Sequence, residues 1–146
     1  MANRTTTFPD QQLVKNSRQW HHIDANDRIL GRLASKAAVL LMGKHKVYWS
    51  PHIDCGDFVV VTNAKTVRVT GDKLIQKQYF RHSGYPAGGR TTPLGKLLQD
   101  RPERVIELAV KRMLPKNKLG HRMITRLKIY PTENHPHGTQ HPTAIA

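Results

Sequence analysis

Trp20-His21-His22-Ile23-Asp24, then Arg28 to Met42 closed by Gly43, then Phe58-Val59-Val60-Val61 form the stretch that decides the fold. The first run reads as a short strand. Asp24-Ala25-Asn26-Asp27 has turn and helix N-cap chemistry. From Arg28 to Met42 the period becomes helical: Leu30, Leu33, Ala34, Ala37, Ala38 and Leu41 fall on one face, and Gly43 is the expected stop. Phe58 to Val61 is continuously apolar after Gly56-Asp57, the pattern of a strand covered on both faces in a parallel sheet. Strand, helix and strand over residues 19–62 predict a βαβ unit with a right-handed crossover, hence an α/β protein.

Working outward, Thr66 to Thr70 alternates as a short strand, Thr70-Gly71-Asp72-Lys73 is a turn, and Leu74 to Phe80 reads as another strand. Residues 82–92 are glycine-rich and aperiodic. Leu94 to Gln99 reads as a short helix. Asp100 is the expected cap of a longer one, with Pro102 in its first turn, Ile106, Ala109, Val110 and Met113 on its buried face, and Pro115 ending it. A short helix over Lys118 to Arg126 and a strand over Leu127 to Tyr130 follow. Residues 1–17, which include Pro9 and an Asn3-Arg4-Thr5 sequon expected to be idle, read as an extended arm. The stretch from Pro131, with Pro136 and Pro142, reads as an extended tail. A chain of 146 residues suits one domain. The expected organisation is an arm at 1–17, an α/β core at 18–130 and a tail at 131–146.

The chain carries 24 Lys and Arg against 10 Asp and Glu, a net charge of +14. The excess is +5, +3 and +6 over residues 1–50, 51–100 and 101–146, so no single tail accounts for it. The densest stretch, Lys111 to Lys128, has seven basic residues and no acid. Such a field attracts polyanions, nucleic acid above all, because each neutralised phosphate releases condensed counterions. An anionic membrane would require an amphipathic helix with bulky apolar anchors, and none stands outside the expected core. The longest apolar run, Ala37 to Met42, is six residues against the roughly 20 that span a bilayer. With one cysteine, Cys55, and no secretory pattern, a soluble protein of the reducing cytoplasm is expected.

Enzymatic readings find little support. The first strand-to-helix turn has no glycine until Gly31, so the dinucleotide fingerprint is missing, and the Gly84 to Gly89 loop lacks the Lys-Ser/Thr ending of a nucleotide-binding loop. His82-Ser83 has no G-x-S-x-G surroundings. Nine histidines raise a metal hypothesis, densest at His21-His22 and His135-Pro136-His137, but no set of three or four ligands stands out, and Asp54, Cys55 and Asp57 read as turn residues before a strand. No catalytic residue, metal, cofactor or small-molecule substrate is expected. Basic residues do interleave with flat ones, at Lys44-His45-Lys46-Val47-Tyr48-Trp49 and Arg81-His82-Ser83-Gly84-Tyr85, as in proteins that stack unpaired bases and hold phosphates. Core packing is the competing reading of Tyr48, Trp49 and Tyr85. A solvated helix face is the competing reading of the Arg28, Arg32, Lys36 stripe. A sequence-tolerant DNA-binding protein and a nucleotide-dependent α/β enzyme are the rival functions.

Several strings resemble the bacterial-type large-subunit ribosomal protein L13 family. They are Trp20 to Ala25, Leu30 to Ser35, Gly43-Lys44-His45-Lys46, Asp54 to Asp57 with Val59 to Val61, Asn63-Ala64, Thr70-Gly71, His82-Ser83-Gly84-Tyr85-Pro86, Met113 to Gly120, His135-Pro136-His137 and Gln140-His141-Pro142. They run in family order over residues 19–142. Ala87 separates Pro86 from Gly88-Gly89 where the family runs Pro-Gly-Gly, and Arg112 stands where a glycine is usual. The resemblance implies a three-layer α/β/α sandwich around a mainly parallel four-stranded sheet. It also implies a structural, non-enzymatic protein that binds large-subunit ribosomal RNA, joins the subunit early and touches neighbouring ribosomal proteins. On this reading Lys44, Lys46, Arg81, Arg90, Lys116, Lys118, Arg122 and Arg126 are the expected phosphate contacts, and His45, His82 and Tyr85 stack on or contact bases. His135 and His137 order the tail against RNA, and Arg28, Arg32 and Lys36 form a secondary set.

Overall fold

The structure is a computed structural model that describes residues 9–145, the side chain of Gln11 excepted. Strand β1 (Trp20–Asp24), helix α2 (Leu30–Met42) and strand β2 (Phe58–Thr62) form the predicted unit, preceded by a short helix α1 (Gln11–Asn16). β1 and β2 are parallel, with His21 opposite Val59 and Ile23 opposite Val61. Burial alternates along β1 and is continuous from Val59 to Thr62, as the valine run requires. Helix α2 starts two residues later than its period suggests. Asp24 accepts the Asn26 N–H at 3.0 Å in an Asx turn and Asp27 adopts φ 54°, so the turn residues are used before the helix begins.

Helices α3 (Lys73–Gln76), α4 (Leu94–Asp100), α5 (Pro102–Met113) and α6 (Lys118–Ile124) follow, with strands β3 (Gln78–His82), β4 (Gly89–Pro93), β5 (Leu127–Ile129) and β6 (Thr143–Ala144). The main sheet has the order β5-β2-β1-β6, all parallel, with helices on both sides. Its core joins Ile23, Val59 and Val61 to Leu33, Ala34, Ala37 and Leu41 of α2 and to Val105, Ile106 and Val110 of α5. Strands β3 and β4 form a separate antiparallel hairpin.

Four expectations need correction. Residues 66–70 are not a strand: Ala64–Thr66 is a 3₁₀ turn, and only Arg68 bridges to Ile29. The strand expected from Leu74 begins at Gln78, because Lys73–Gln76 coils into a helical turn. Asp100 ends α4 instead of capping α5, whose N-cap is Arg101 without a side-chain bond. Neither end is wholly extended. Asp10 accepts the Gln12 N–H at 3.2 Å and caps α1, and β6 adds the fourth strand by pairing with His21 and His22. Residues 1–8, including the sequon, lie outside the described residues.

Candidate nucleic-acid interface

The loop from Gly43 to Asp57 carries the first basic-aromatic cluster and is pinned from beneath by two carboxylates. Gly43 ends α2 at φ 77°, and a Cβ there would lie 2.5 Å from the Cys55 carbonyl oxygen, so the loop can close only on glycine. Asp57 is 0% exposed. Its Oδ2 lies 3.0 Å from His21 Nε2 and 2.9 Å from His45 Nε2, and its Oδ1 accepts from Lys46 Nζ and, at 3.1 Å, from the Gln19 N–H. Burial alone pushes the Asp57 carboxyl up. The hydrogen bonds from His21, Lys46 and the Gln19 N–H outweigh it and hold the group at about 2. The other carboxylate, Asp54, receives the Arg126 fork, Nη1 and Nη2 each at 2.5 Å, and Arg18 Nη2 at 3.2 Å. Gly56 lets the chain pass here: a Cβ would sit 1.7 Å from the Leu41 carbonyl oxygen.

Arg126 is therefore not a surface phosphate contact. It is 5% exposed, spans 72 residues to Asp54, and donates a further bond to the Leu41 carbonyl at 3.2 Å. Lys46 is likewise largely covered and bonded to Asp57, whereas His45 reaches Asp57 from an exposed position and Lys44 stays exposed. Asp54 and Asp57, read from the sequence as turn residues, are the hubs of this seam. His21, His45 and Asp57 are the group of metal-ligating atoms the described residues bring within 4.8 Å of one another. Lys46 supplies a cation on the same carboxylate, so charge balance there is met by the chain itself.

Above the seam the aromatic residues are on the surface. Val47, Tyr48 and Trp49 are exposed, with Lys44 Nζ 5.6 Å from the Trp49 ring centre and Lys46 Nζ 5.8 Å from that of Tyr48. Lys44 and Trp49 line one hollow of about 380 Å³ with Met113, Pro115 and Asn117, which brings the Gly43-Lys44-His45-Lys46 and Met113 to Gly120 strings together. Asn117 caps α6 by accepting the Gly120 N–H at 2.9 Å, and a Cβ on Gly120 would lie 1.9 Å from the Pro115 carbonyl oxygen. That tight turn presents exposed Lys116 and Lys118, and Arg122 follows, exposed, on α6.

The β3–β4 hairpin holds the second cluster. Arg81 lies opposite Arg90, and His82 opposite Gly89. Like charges directly opposite on an antiparallel pair repel, and among the described residues no acid is bonded to either. Phe80 is 70% and Tyr85 76% exposed, so the core-packing reading of Tyr85 fails. Phe80 was not anticipated. It ends the run Leu74 to Phe80 that the sequence reads as a strand, directly before the basic Arg81. At the tip, the Gly88 N–H donates to the Tyr85 carbonyl at 2.9 Å, with Pro86 and Ala87 between them and Ala87 at φ 60°. Arg112 is exposed, with its guanidinium 5.6 Å from the centre of the Tyr79 ring.

Arg28, Arg32 and Lys36 line one shallow hollow, as their four-residue spacing requires, and Arg28 also reaches the Ile145 carbonyl at 3.5 Å. His135 and His137 fold back over the face of β1 that carries Trp20 and His22: Tyr130 Oη lies 2.8 Å from His137 Nε2, and the His22 and His135 rings are 5.7 Å apart. Burial, with the charges of His135 and Lys128 nearby, holds the His137 imidazole below the ordinary histidine range. Among the described residues no helix is long and apolar enough to cross a membrane.

The fold and its surface define a class: a strongly basic, parallel α/β protein whose interior cations are paired and whose exposed cations gather beside exposed aromatic rings. A model of the family described as Ribosomal protein L13 matches residues 18–136. The chain is 57% identical over 125 residues to large ribosomal subunit protein uL13 of Thermobifida fusca, covering 86% of this chain and 84% of that one. It is 56% identical over 128 residues to the uL13 of Aquifex aeolicus (88% and 89% covered) and 52% over 140 residues to that of Nostoc sp. (96% and 91% covered). The chain belongs to the ribosomal protein L13 family, a structural and non-enzymatic family.

Proposed function

We propose that this protein is a structural constituent of the large ribosomal subunit in a bacterial-type cytoplasmic ribosome, where it binds large-subunit ribosomal RNA, helps early assembly and touches neighbouring ribosomal proteins. The observation that carries the reading is the sorting of charge. Lys44, beside Trp49; Arg81 and Arg90, on the hairpin of Phe80 and Tyr85; and Lys116, Lys118 and Arg122 are all exposed with no carboxylate partner among the described residues. Such cations hold and position phosphates, while exposed rings take unstacked bases. His82, beside Phe80, and the exposed His45 serve as base contacts, Lys46 adds a cation at the base of the loop, and Arg28, Arg32 and Lys36 add a second basic face. His135 and His137 hold the C-terminal stretch where it can order on RNA. The relatives at 56–57% identity, themselves large ribosomal subunit proteins, support the same assignment.

Sedimentation of the native protein from a lysate tests it. Co-migration with the large subunit, lost after ribonuclease or magnesium chelation, is the expected result. Slow sedimentation as a free protein in both conditions would overturn it. A Lys116→Ala, Lys118→Ala, Arg122→Ala variant should bind rRNA more weakly with a shallower salt dependence. Equal affinity for duplex DNA and folded RNA at the same salt would favour the DNA-binding alternative.

A further inference from the structure

A cleft of about 520 Å³ lies between α1, the 52–54 segment, the start of β2 and α6. That volume falls in the range of about 300–1,000 Å³ typical of sites for small organic groups. Its charge is unbalanced. Lys15, Arg18, Arg122 and Arg126 all line it, and the one carboxylate among the lining residues, Asp54, is shared between Arg18 and Arg126. Lys15 and Arg122 are exposed and have no ion-pair partner among the described residues. Donors also exceed acceptors: the Nε–H groups of Arg18 and Arg126 are buried and unbonded. The rest of the lining includes apolar Val14, Ile53, Phe58 and Leu119, and Phe58 is itself stacked on Trp20 with ring centres 4.3 Å apart.

Resting on the rRNA-binding reading, we propose that this cleft takes one unstacked nucleotide of the bound RNA, its base against the Phe58 and Leu119 walls and its phosphate on Lys15 and Arg122. A duplex backbone could meet the cations but has no group to cover the Val14, Ile53, Phe58 and Leu119 side chains that share this mixed polar and apolar lining. An extruded nucleotide supplies both an anion and a flat, largely apolar ring. A docked protein carboxylate would meet the charge and is the outcome that the test below separates.

The experiment is base-specific chemical probing (dimethyl sulfate and a carbodiimide, covering all four bases) of large-subunit rRNA bound to the full chain. Two variants are compared with wild type. Thr125→Trp fills the cleft from an exposed lining position without changing charge, and the Lys15→Ala, Arg122→Ala pair removes the phosphate contacts. With wild type, one unpaired nucleotide should be protected. Thr125→Trp should abolish that protection alone, leaving the other protections in place. The double variant should lower the magnitude of the salt slope of binding by about 2, one for each lost phosphate contact. The proposal is overturned if rRNA binds and every protection survives Thr125→Trp, or if the protections lost lie on paired strands. It is also overturned if the double variant alters only the docking of a second ribosomal protein. Failure of the wild type to bind rRNA at all would instead sink the function on which the proposal rests.

Discussion

Lys46, in the 43–57 loop, meets a fully buried carboxylate, whereas Arg81, in the β3–β4 hairpin, faces a second arginine across the strand pair. Both residues sit beside aromatic side chains, and from the sequence both read as phosphate contacts. The structure separates them by what lies underneath. In the loop every inward cation has an acid: Lys46 on Asp57, Arg18 and Arg126 on Asp54. In the hairpin no acid among the described residues answers Arg81 or Arg90, so the repulsion between them is left for solvent or an anionic partner to relieve. A cation's partner within the chain therefore separates cations that hold the fold from cations left open to an outside anion.

The sharpest way to break this contrast is to remove the loop's central acid. Asp57→Ala strips the counter-charge from Lys46 and the acceptor from His21, His45 and the Gln19 N–H. Breaking a buried pair from one side costs about 3–5 kcal/mol, to be read by urea denaturation. A loss under about 1 kcal/mol would mean the seam is not structural. The same carboxylate should mark the acid limb of stability. Its folded value is about 2 against 3.8 unfolded, so it contributes about 2 kcal/mol that is complete above pH 4 and is lost as pH falls through 2. The stability gap between wild type and Asp57→Asn should narrow on acidification below pH 4. A gap that stays constant from pH 6 to pH 2 contradicts the assignment.

The hairpin should behave in the opposite manner. Arg81→Ala and Arg90→Ala each leave folding stability within about 0.5 kcal/mol of wild type, since surface changes away from special features are small. Each should lose about 1.5 kcal/mol of rRNA binding, close to tenfold, as expected for one charge-assisted contact, and each should reduce the salt slope by about 1. Filter binding at several salt concentrations, beside denaturation curves, measures both effects. A hairpin variant that loses stability but keeps its RNA affinity would erase the distinction.

The two regions also differ in how far they could be read in advance. The β1-α2-β2 unit was legible because its apolar spacing changes plainly from strand to helix and back, and the basic-aromatic strings of the hairpin are contiguous. The Asp54 and Asp57 hubs were not, because Arg18, Arg126 and His21 stand 36 or 72 residues away, and even His45 and Lys46, 12 and 11 residues from Asp57, are linked to it by no local period. A usable clue was present: in a chain with ten acids, Asp57 stands directly before a strand buried from Val59 onward. Strand β6 was illegible for a different reason. Two residues carry no period, and their pairing with His21 and His22 is a tertiary event. Leu74 to Gln76 misled because apolar residues in a four-residue helical turn cannot be told from a strand start by pattern alone.

The smallest expected effect lies at the hairpin tip, where Ala87 follows Pro86 in a turn closed by the Gly88 N–H on the Tyr85 carbonyl. Proline second and a positive φ third is the type II arrangement, which favours glycine at the third position. Ala87 at φ 60° carries a left-handed penalty of about 1–2 kcal/mol that glycine would not. Glycine also frees the unfolded chain, which returns about 0.4–1 kcal/mol of that gain. Ala87→Gly should therefore stabilise the tip by about 1 kcal/mol or less, visible as up to roughly fivefold slower exchange of the Gly88 and Ser83 amides. If RNA requires the tip in this conformation, affinity should rise by no more than the same factor. Faster amide exchange in the glycine variant would show that stiffness at Ala87, rather than relief of its strain, holds the exposed Tyr85 in place.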